Sequence, residues 1–401
     1  MKFLRNTLDK VKHDFEKGGK YEKYYYAFEA LETFAFVPNT TASTKGVQIR
    51  DGVDLKRLMM TVIIAMVPCL IFGIFNVGHQ HFLALGQEAS MMDKFWVGAL
   101  QVMPIVIVSY GVGLGIEFIF ATIRRHPVNE GYLVTGMLIP LVMPPDIPLW
   151  QVAVATIFAV IIGKEAFGGT GMNVVNIALT ARAFLYFAYP TQISGEVWAY
   201  IPEGAQTVAG YSGATPLAIA SQSSTDGTSV VAALDSFGAS WAGEGFFSLG
   251  NLFFGAMPGS IGETSTLMCL IGAFILWATG TGSWKIIVSV FAGAWAMGLL
   301  LNALAVNPFM EMPAHYHLVI GGLAFGAVFM ATDPVTATQT ETGKWVYGFL
   351  IGLFTVLIRV FNPAYPEGIM LAILLMNIFA PLIDYFVVSA NKTRRLKRAT
   401  V

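Results

Sequence analysis

Ten stretches of this 401-residue chain are apolar enough to enter a lipid bilayer, and that excludes most folds at once. A spanning helix needs about 20 mostly apolar residues, because each backbone N–H and C=O in the hydrocarbon must find its partner inside the protein. The stretches are 58–78, 95–122, 131–145, 149–163, 174–189, 262–281, 286–304, 317–332, 345–361 and 368–388, set apart by polar or Gly/Pro-rich breaks. Several are short and are read as tilted or broken helices. Only 12% of residues are charged, against about a quarter in a soluble domain. The expected fold is therefore an all-α integral membrane protein of about ten transmembrane helices.

Charge fixes the orientation. Eleven of the 24 Lys and Arg lie in residues 1–57 and five in the last ten. Threading ten spans from a cytoplasmic N-terminus puts 21 of the 24 on the inner side, including Arg124, Arg125, Lys164, Lys285 and Lys344. Lys94 and Arg359 fall outside, and Arg182 falls within a span. The positive-inside rule accordingly gives both termini to the cytoplasm. Residues 1–57 lack the apolar core and cleavage site of a signal peptide and are expected to stay as a polar arm.

The order of features repeats. "GYLVTGMLIPLVMPPDIPLW" (131–150) gives an apolar helix, a proline break and a Trp, followed by Lys164 and the Gly-rich "AFGGTGMN" before a closing helix. "HLVIGGLAFGAVFMATDP" (317–334) gives helix and break again, then Trp345, Arg359 and "FNPAYPEG" before the last span. Parity sets the two units in opposite orientation. The expectation is an inverted repeat with broken helices, the arrangement that builds a central site in many transporters. Its parts are a cytoplasmic N-terminal arm (1–57), a first five-helix repeat (58–189), an exterior segment (190–261), a second five-helix repeat (262–388) and a basic cytoplasmic tail (389–401).

Acids inside spans are retained only where water, a partner or a cation offsets several kcal/mol of burial cost. Glu117, Asp333 and Asp384 are such acids, all toward the cytoplasmic half, and are candidates for a cation path; the plainer alternative is a set of interfacial caps. Glu130, Glu165 and Glu367 accompany the helix breaks. The six histidines, His13, His79, His81, His126, His315 and His317, lie outside or at the edges of the spans, which argues against a haem held by paired membrane His. Cys69 and Cys269 are too few to hold an iron–sulfur cluster or structural zinc and read as buried core residues. No metal is expected on this chain, and without a Walker A or dinucleotide fingerprint it is not expected to bind NADH or nucleic acid.

One polar run stands apart. "GYSGATPL" (210–217) falls in the exterior segment, which has no Lys or Arg between Arg182 and Lys285. Small hydroxyl residues alone signal only a turn. In an outer loop of a ten-span chain, however, "YSGATPL" resembles the flavinylation motif of the B subunit family of sodium-translocating NADH:quinone oxidoreductases. "FEKGGKYEK", "VDLKRLM", "VNEGYLVT", "KEAFGGTGMN", "RAFLYFAYPTQISG", "GSIGETSTL", "FMATDPV" and "IRVFNPAYPEGIMLAIL" extend the resemblance over nearly the whole chain. The D subunits of Rnf-type complexes share the flavin motif but usually lack the long N-terminal arm. One departure is Ala209, where the family motif commonly has Asp.

The resemblance implies FMN esterified to Thr215 through its phosphate, with Ser212, Gly213 and Ala214 giving close access to the backbone. It also implies a non-covalent riboflavin, and ubiquinone as electron acceptor near Gly113, Gly115 and Glu117. Sodium would use Glu117, Asp333 and Asp384. Partner subunits of a bacterial inner-membrane complex, together with membrane lipid, would complete the machine. A channel or secondary transporter without redox chemistry is the alternative, and a flavin that survives denaturation distinguishes the two.

The charge asymmetry yields a first prediction. Single cysteines at Ser223 and Thr393 should differ in labelling of intact cells by an impermeant thiol reagent, and equal labelling would overturn the ten-span threading.

Overall fold

In the computed structural model, residues 2–16, 18–36, 45–46, 55–128, 131–195, 197–202, 204–362 and 365–399 are described; Glu130 lies outside them. Every regular element among them is helical. Two short helices, α1 (Lys2–Phe15) and α2 (Tyr25–Ala35), form the N-terminal arm. Lys12 donates to both Glu32 carboxylate oxygens at 2.9 and 3.0 Å, which ties them together and raises the Lys12 pKa.

The first membrane unit contains α3 (Leu55–Leu85), α4 (Met91–Arg124), α5 (Gly131–Leu141), α6 (Leu149–Gly163) and α7 (Ile177–Ala188). α3 and α4 are packed backbone to backbone. A Cβ on Gly78 would strike the Lys94 carbonyl, and one on Gly98 the Ile74 carbonyl. In lipid, where apolar burial does not drive helices together, such close approach supplies the contact energy. The Ser90 hydroxyl accepts from Asp93 N at 3.2 Å while Asp93 answers the Ser90 amide, so a capping box starts α4.

Between the two units in sequence, α8 (Pro216–Thr225), α9 (Val230–Ser236) and α10 (Leu249–Phe254) fold the 190–261 segment around its own core. Phe237 stacks on Phe247 with centroids 4.8 Å apart, and Trp241 joins them. Leu217, Ala220 and Leu234 extend this core onto Met297 and Val356 of the second unit.

That unit contains α11 (Thr266–Ala278), α12 (Trp284–Leu304), the broken element α13 (Tyr316–Val319) and α14 (Leu323–Phe325), then α15 (Glu341–Phe361) and α16 (Ile369–Ala399). α12 and α15 use the same small-residue packing: Gly293 faces the Phe349 carbonyl and Gly352 the Val290 carbonyl. Gly321, at φ 68°, interrupts the chain between α13 and α14, and a π turn at Gly326–Met330 follows. Among the described residues six helices are long and apolar enough to cross a membrane, namely α3, α4, Leu149–Phe167, α12, α15 and α16; α5, α7 and α11 are shorter apolar helices.

The helices depart from the apolar runs at their ends. α3 continues to Leu85 and α16 to Ala399, so the basic run from Lys392 to Arg398 is helical and continuous with the last apolar run. Lys and Arg are good helix formers and suit a helix C-terminus.

Breaks inside a membrane protein leave backbone groups that must be paired. After α5, the Leu141 and Met143 carbonyls accept from Gly262 N (2.7 Å) and Ile261 N (3.1 Å). At the second break, Arg359 is wholly buried, where its sequence position suggested an outer loop charge. It donates Nη1 to the His317 carbonyl (2.7 Å), Nη2 to Ile320 (2.9 Å) and Nε to Glu367 (3.1 Å). Arg182 is buried too, and its Nη1 lies 2.7 Å from both oxygens of buried Glu263.

Substitution at these buried cations and acids should be costly. Arg359→Lys should lower the amount of folded protein, since three donors on a single nitrogen cannot reach carbonyls spread around a planar guanidinium fork and each carbonyl left bare costs about 1–3 kcal/mol. Glu263→Gln should destabilise by about 3–5 kcal/mol, the usual cost of stripping one partner from a buried ion pair. Thermal unfolding in detergent reads both, and unchanged midpoints would remove these residues from the framework. The topology label also needs moving, because Ser223 is buried with its hydroxyl on the Ile219 carbonyl. Exposed Thr225 is the better partner for Thr393.

Candidate functional site

Two regions carry chemistry. In the first, Val208 N donates to the Ala84 carbonyl at 2.9 Å, anchoring the polar run to the end of α3. Tyr211 then rests on Trp241, with ring centroids 4.8 Å apart. The Ser212 hydroxyl accepts from Ala214 N at 3.3 Å, and Gly213 and Ala214 are buried. Thr215 is the N-cap of α8. Its hydroxyl accepts from Ala218 N at 3.2 Å and its carbonyl from Ile219 N at 3.1 Å, with Pro216 in the first helical position.

A threonine oxygen at a helix N-terminus stands where unpaired amides and the helix dipole favour a phosphate. The residues around Thr215 therefore fit a phosphoester. They do not fit a flavin ring inward, because the adjoining cavity holds only about 10 Å³ between Thr215, Glu263, Gly321, Gly322 and Glu367.

In the second region a larger cavity of about 220 Å³ lies between the two units. Leu138, Leu276 and Phe329 give it apolar walls, and Lys164, Asn173, Asn176 and Asp333 supply polar groups. A mostly apolar cleft with a few fixed polar groups is the usual form of a small-molecule site. Asn176 also caps α7, its Oδ1 accepting from Leu179 N at 3.1 Å, so the break before α7 places it. A second cavity of about 180 Å³ adjoins the first and is lined by Glu117, His126, Glu165 and Thr170; Lys164 and Thr170 belong to both walls.

The wall between them is charged. Lys164 Nζ pairs with Glu117 Oε1, both residues being buried. Next to it Arg124 donates Nη1 to Glu165 Oε2 and Nη2 to the Glu165 carbonyl, each at 2.9 Å. Glu117 and Arg124 are seven residues apart, two turns along one face of α4, and meet the consecutive Lys164 and Glu165 at the end of α6.

The acids picked from the sequence do not gather at one point. Glu117 is in this wall and Asp333 lines the larger cavity, where its carboxylate accepts from Val335 N (3.1 Å) and the Thr336 hydroxyl (3.0 Å). Asp384 sits on α16 and caps the start of α15, accepting from Gln339 N (2.7 Å), Thr340 N (3.0 Å) and the Thr340 hydroxyl (2.5 Å). Gly113 makes room for the Tyr132 ring, which occupies the place of a Cβ there, whereas Gly115 faces open space. Among the described residues no group of three His, Cys, Asp or Glu could hold a metal. Cys69 and Cys269 are buried, with sulfurs 3.9 Å apart.

Sequence reasoning passed over Lys164 as the partner of Glu117, the Arg182–Glu263 pair and the role of Arg359. A signal was present for each: a cation inside an apolar stretch has to be matched, and Glu263 and Glu367 stand beside breaks.

Long apolar helices, helix breaks closed by partners from elsewhere in the chain and buried ion pairs define a multi-pass helical membrane protein with internal cavities. Residues 42–393 match the NQR2, RnfD, RnfE family, and the chain belongs to that family. It is similar along its length to proteins named as the B subunit of Na(+)-translocating NADH-quinone reductase. The one from Chromohalobacter salexigens is 48% identical, over 98% of this chain and 96% of its own length. Those from Pseudomonas aeruginosa and Azotobacter vinelandii are each 46% identical, over 98% of this chain and 99% of their own.

Proposed function

We propose that this chain is the quinone-side membrane subunit of a sodium-translocating NADH:quinone reductase and acts only with its partner subunits. Carrying the reading is the Thr215 hydroxyl, set at the N-terminus of α8 within a chain 46–48% identical to these reductase relatives over nearly its full length. The ten helical segments form two inverted five-helix repeats in the bacterial inner membrane, with both termini cytoplasmic and Thr215 exterior. The long N-terminal arm favours this over the role of a D subunit in an Rnf-type complex.

Thr215 holds FMN by a phosphoester, with Ser212, Gly213 and Ala214 as the close backbone beside it. Riboflavin takes the 220 Å³ cavity, whose width between apolar walls suits a flat ring and whose Asn173, Asn176 and Lys164 provide polar partners. Ubiquinone is reduced next door, at the Glu117 cavity one turn of α4 from Gly113, whose own side is filled by the Tyr132 ring while Gly115 stays open. The flavins supply one-electron steps, and the protein positions them and sets their electrostatic surroundings. Sodium, a hard cation favouring oxygen ligands, enters along Glu117, Asp333 and Asp384.

Two experiments test this. Thr215→Val should abolish the fluorescent flavin band of the denatured subunit while the complex still assembles; a band that persists overturns the site. Glu117→Gln, Asp333→Asn and Asp384→Asn should each raise the sodium concentration for half-maximal quinone reduction several-fold. Normal sodium dependence with less assembled complex would instead make them structural caps, and for Asp384 the α15 cap is the group that such a loss would report.

A further inference from the structure

Lys164 is the one charged side chain that belongs to the walls of both the 220 Å³ and the 180 Å³ cavities. It is 2% exposed and paired with Glu117 of α4. Its ammonium is a compact charge on a flexible stem with three donors, a group that can change partners by rotating the stem. The backbone beneath it need not move: Glu165, the next residue, is held by Arg124 through both its carboxylate and its carbonyl. Asn173, Asn176 and four threonines, the other polar side chains along the described wall of the larger cavity beside Asp333, carry no charge. Lys164 is thus the cation nearest at hand for a negative charge arising in that cavity.

We propose that Lys164 couples electron arrival to cation uptake by exchanging partners. The ammonium pairs with Glu117 as the structure shows, and it would keep that partner beside an oxidised, uncharged ring. When that ring takes up one electron from the carrier on Thr215 it gains one negative charge, and the ammonium turns to it. The Glu117 carboxylate then takes one sodium ion from the 180 Å³ cavity in place of the ammonium. No covalent bond forms or breaks, and one electron is balanced by one cation, so the net charge of the buried region is unchanged. A low-dielectric interior strongly disfavours the alternative, an added charge with no counter-charge. When the electron passes to quinone, which takes two electrons and two protons over two such rounds, the ammonium returns to Glu117 and displaces the sodium. This rests on the assignment of the larger cavity to a non-covalent flavin.

The test uses the whole complex, mixed rapidly with NADH at sodium concentrations spanning three decades, with flavin absorbance followed in time. The slow flavin phase should accelerate at least tenfold with sodium in the parent. In Lys164→Met, and in the charge-neutral double variant Lys164→Met with Glu117→Gln, that acceleration should fall below twofold. Reduction of the covalent flavin serves as the internal control. Lys164→Arg, which keeps the charge in a less adaptable group, should lose most of the sodium response while assembling normally. Parental sodium acceleration in any of these variants overturns the exchange; should Lys164→Met fail to assemble, the double variant and Lys164→Arg decide. A parent complex that releases no flavin into acid overturns the cavity assignment itself, a result distinct from a sodium response that survives the substitutions.

Discussion

The absence of water from the bilayer interior, which leaves every backbone amide and carbonyl to be paired by the protein, governs this structure more than any single contact. Continuous helices such as α3 and α12 meet that demand within themselves. The interrupted ones cannot, and their solutions organise the centre of the molecule. One break is closed by backbone, with Ile261 and Gly262 donating to the carbonyls after α5. The other is closed by a side chain, the Arg359 guanidinium on three carbonyls. The first tie joins the two units; the second holds together the broken helix and the last two helices of the second unit.

Irregular backbone at depth also makes room. The stretches that interrupt α13–α14 and that precede α7 and α11 are the ones lining the cavities: Gly321 and Gly322 beside Thr215, Asn173 and Asn176 at the larger cavity. A straight helix would present only side chains there. A broken one brings backbone and short polar groups to the wall, which suits the recognition of flat, polar-edged rings. Thr215 belongs to the same pattern, since its place at the start of α8 gives its oxygen a helix N-terminus as surroundings.

Much of this was legible in the sequence because one physical rule dominates it. Apolar runs located six long helices and three shorter ones, whereas the run 317–332 is split into α13, α14 and a π turn; the lack of Lys and Arg between Arg182 and Lys285 marked the segment carrying Thr215 as different. Helix ends were less legible, since hydropathy falls at the lipid boundary while the helix at α16 continues through Lys392 to Ala399. Partnerships were least so. Arg182 and Glu263 are 81 positions apart, Lys164 and Glu117 are 47, and Asp384 caps a helix that begins 43 residues earlier. Periodicity carries information about one helix at a time, whereas these contacts depend on which helices pack together. Charge balance was the available clue: a buried cation implies a nearby acid, although it does not say which one.

Arg359 and Lys164 show how residue type separates framework from moving part. Each is a buried cation near the end of a long helix, followed by a break and then the closing helix of its unit. The guanidinium is planar, and its fixed fork of donors is filled by three carbonyls, so any displacement would strip several backbone groups at once. The ammonium at Lys164 is paired with a carboxylate, and one charged ligand can replace it there without exposing the backbone. The break at Arg359 therefore resists displacement more than the wall at Lys164, where another cation could replace the ammonium and leave the backbone groups paired. The partner exchange proposed for Lys164 calls for such a fixed framework around it. With the two cations on separate joints, the carbonyls held by Arg359 would stay paired while the wall at Lys164 changed partners.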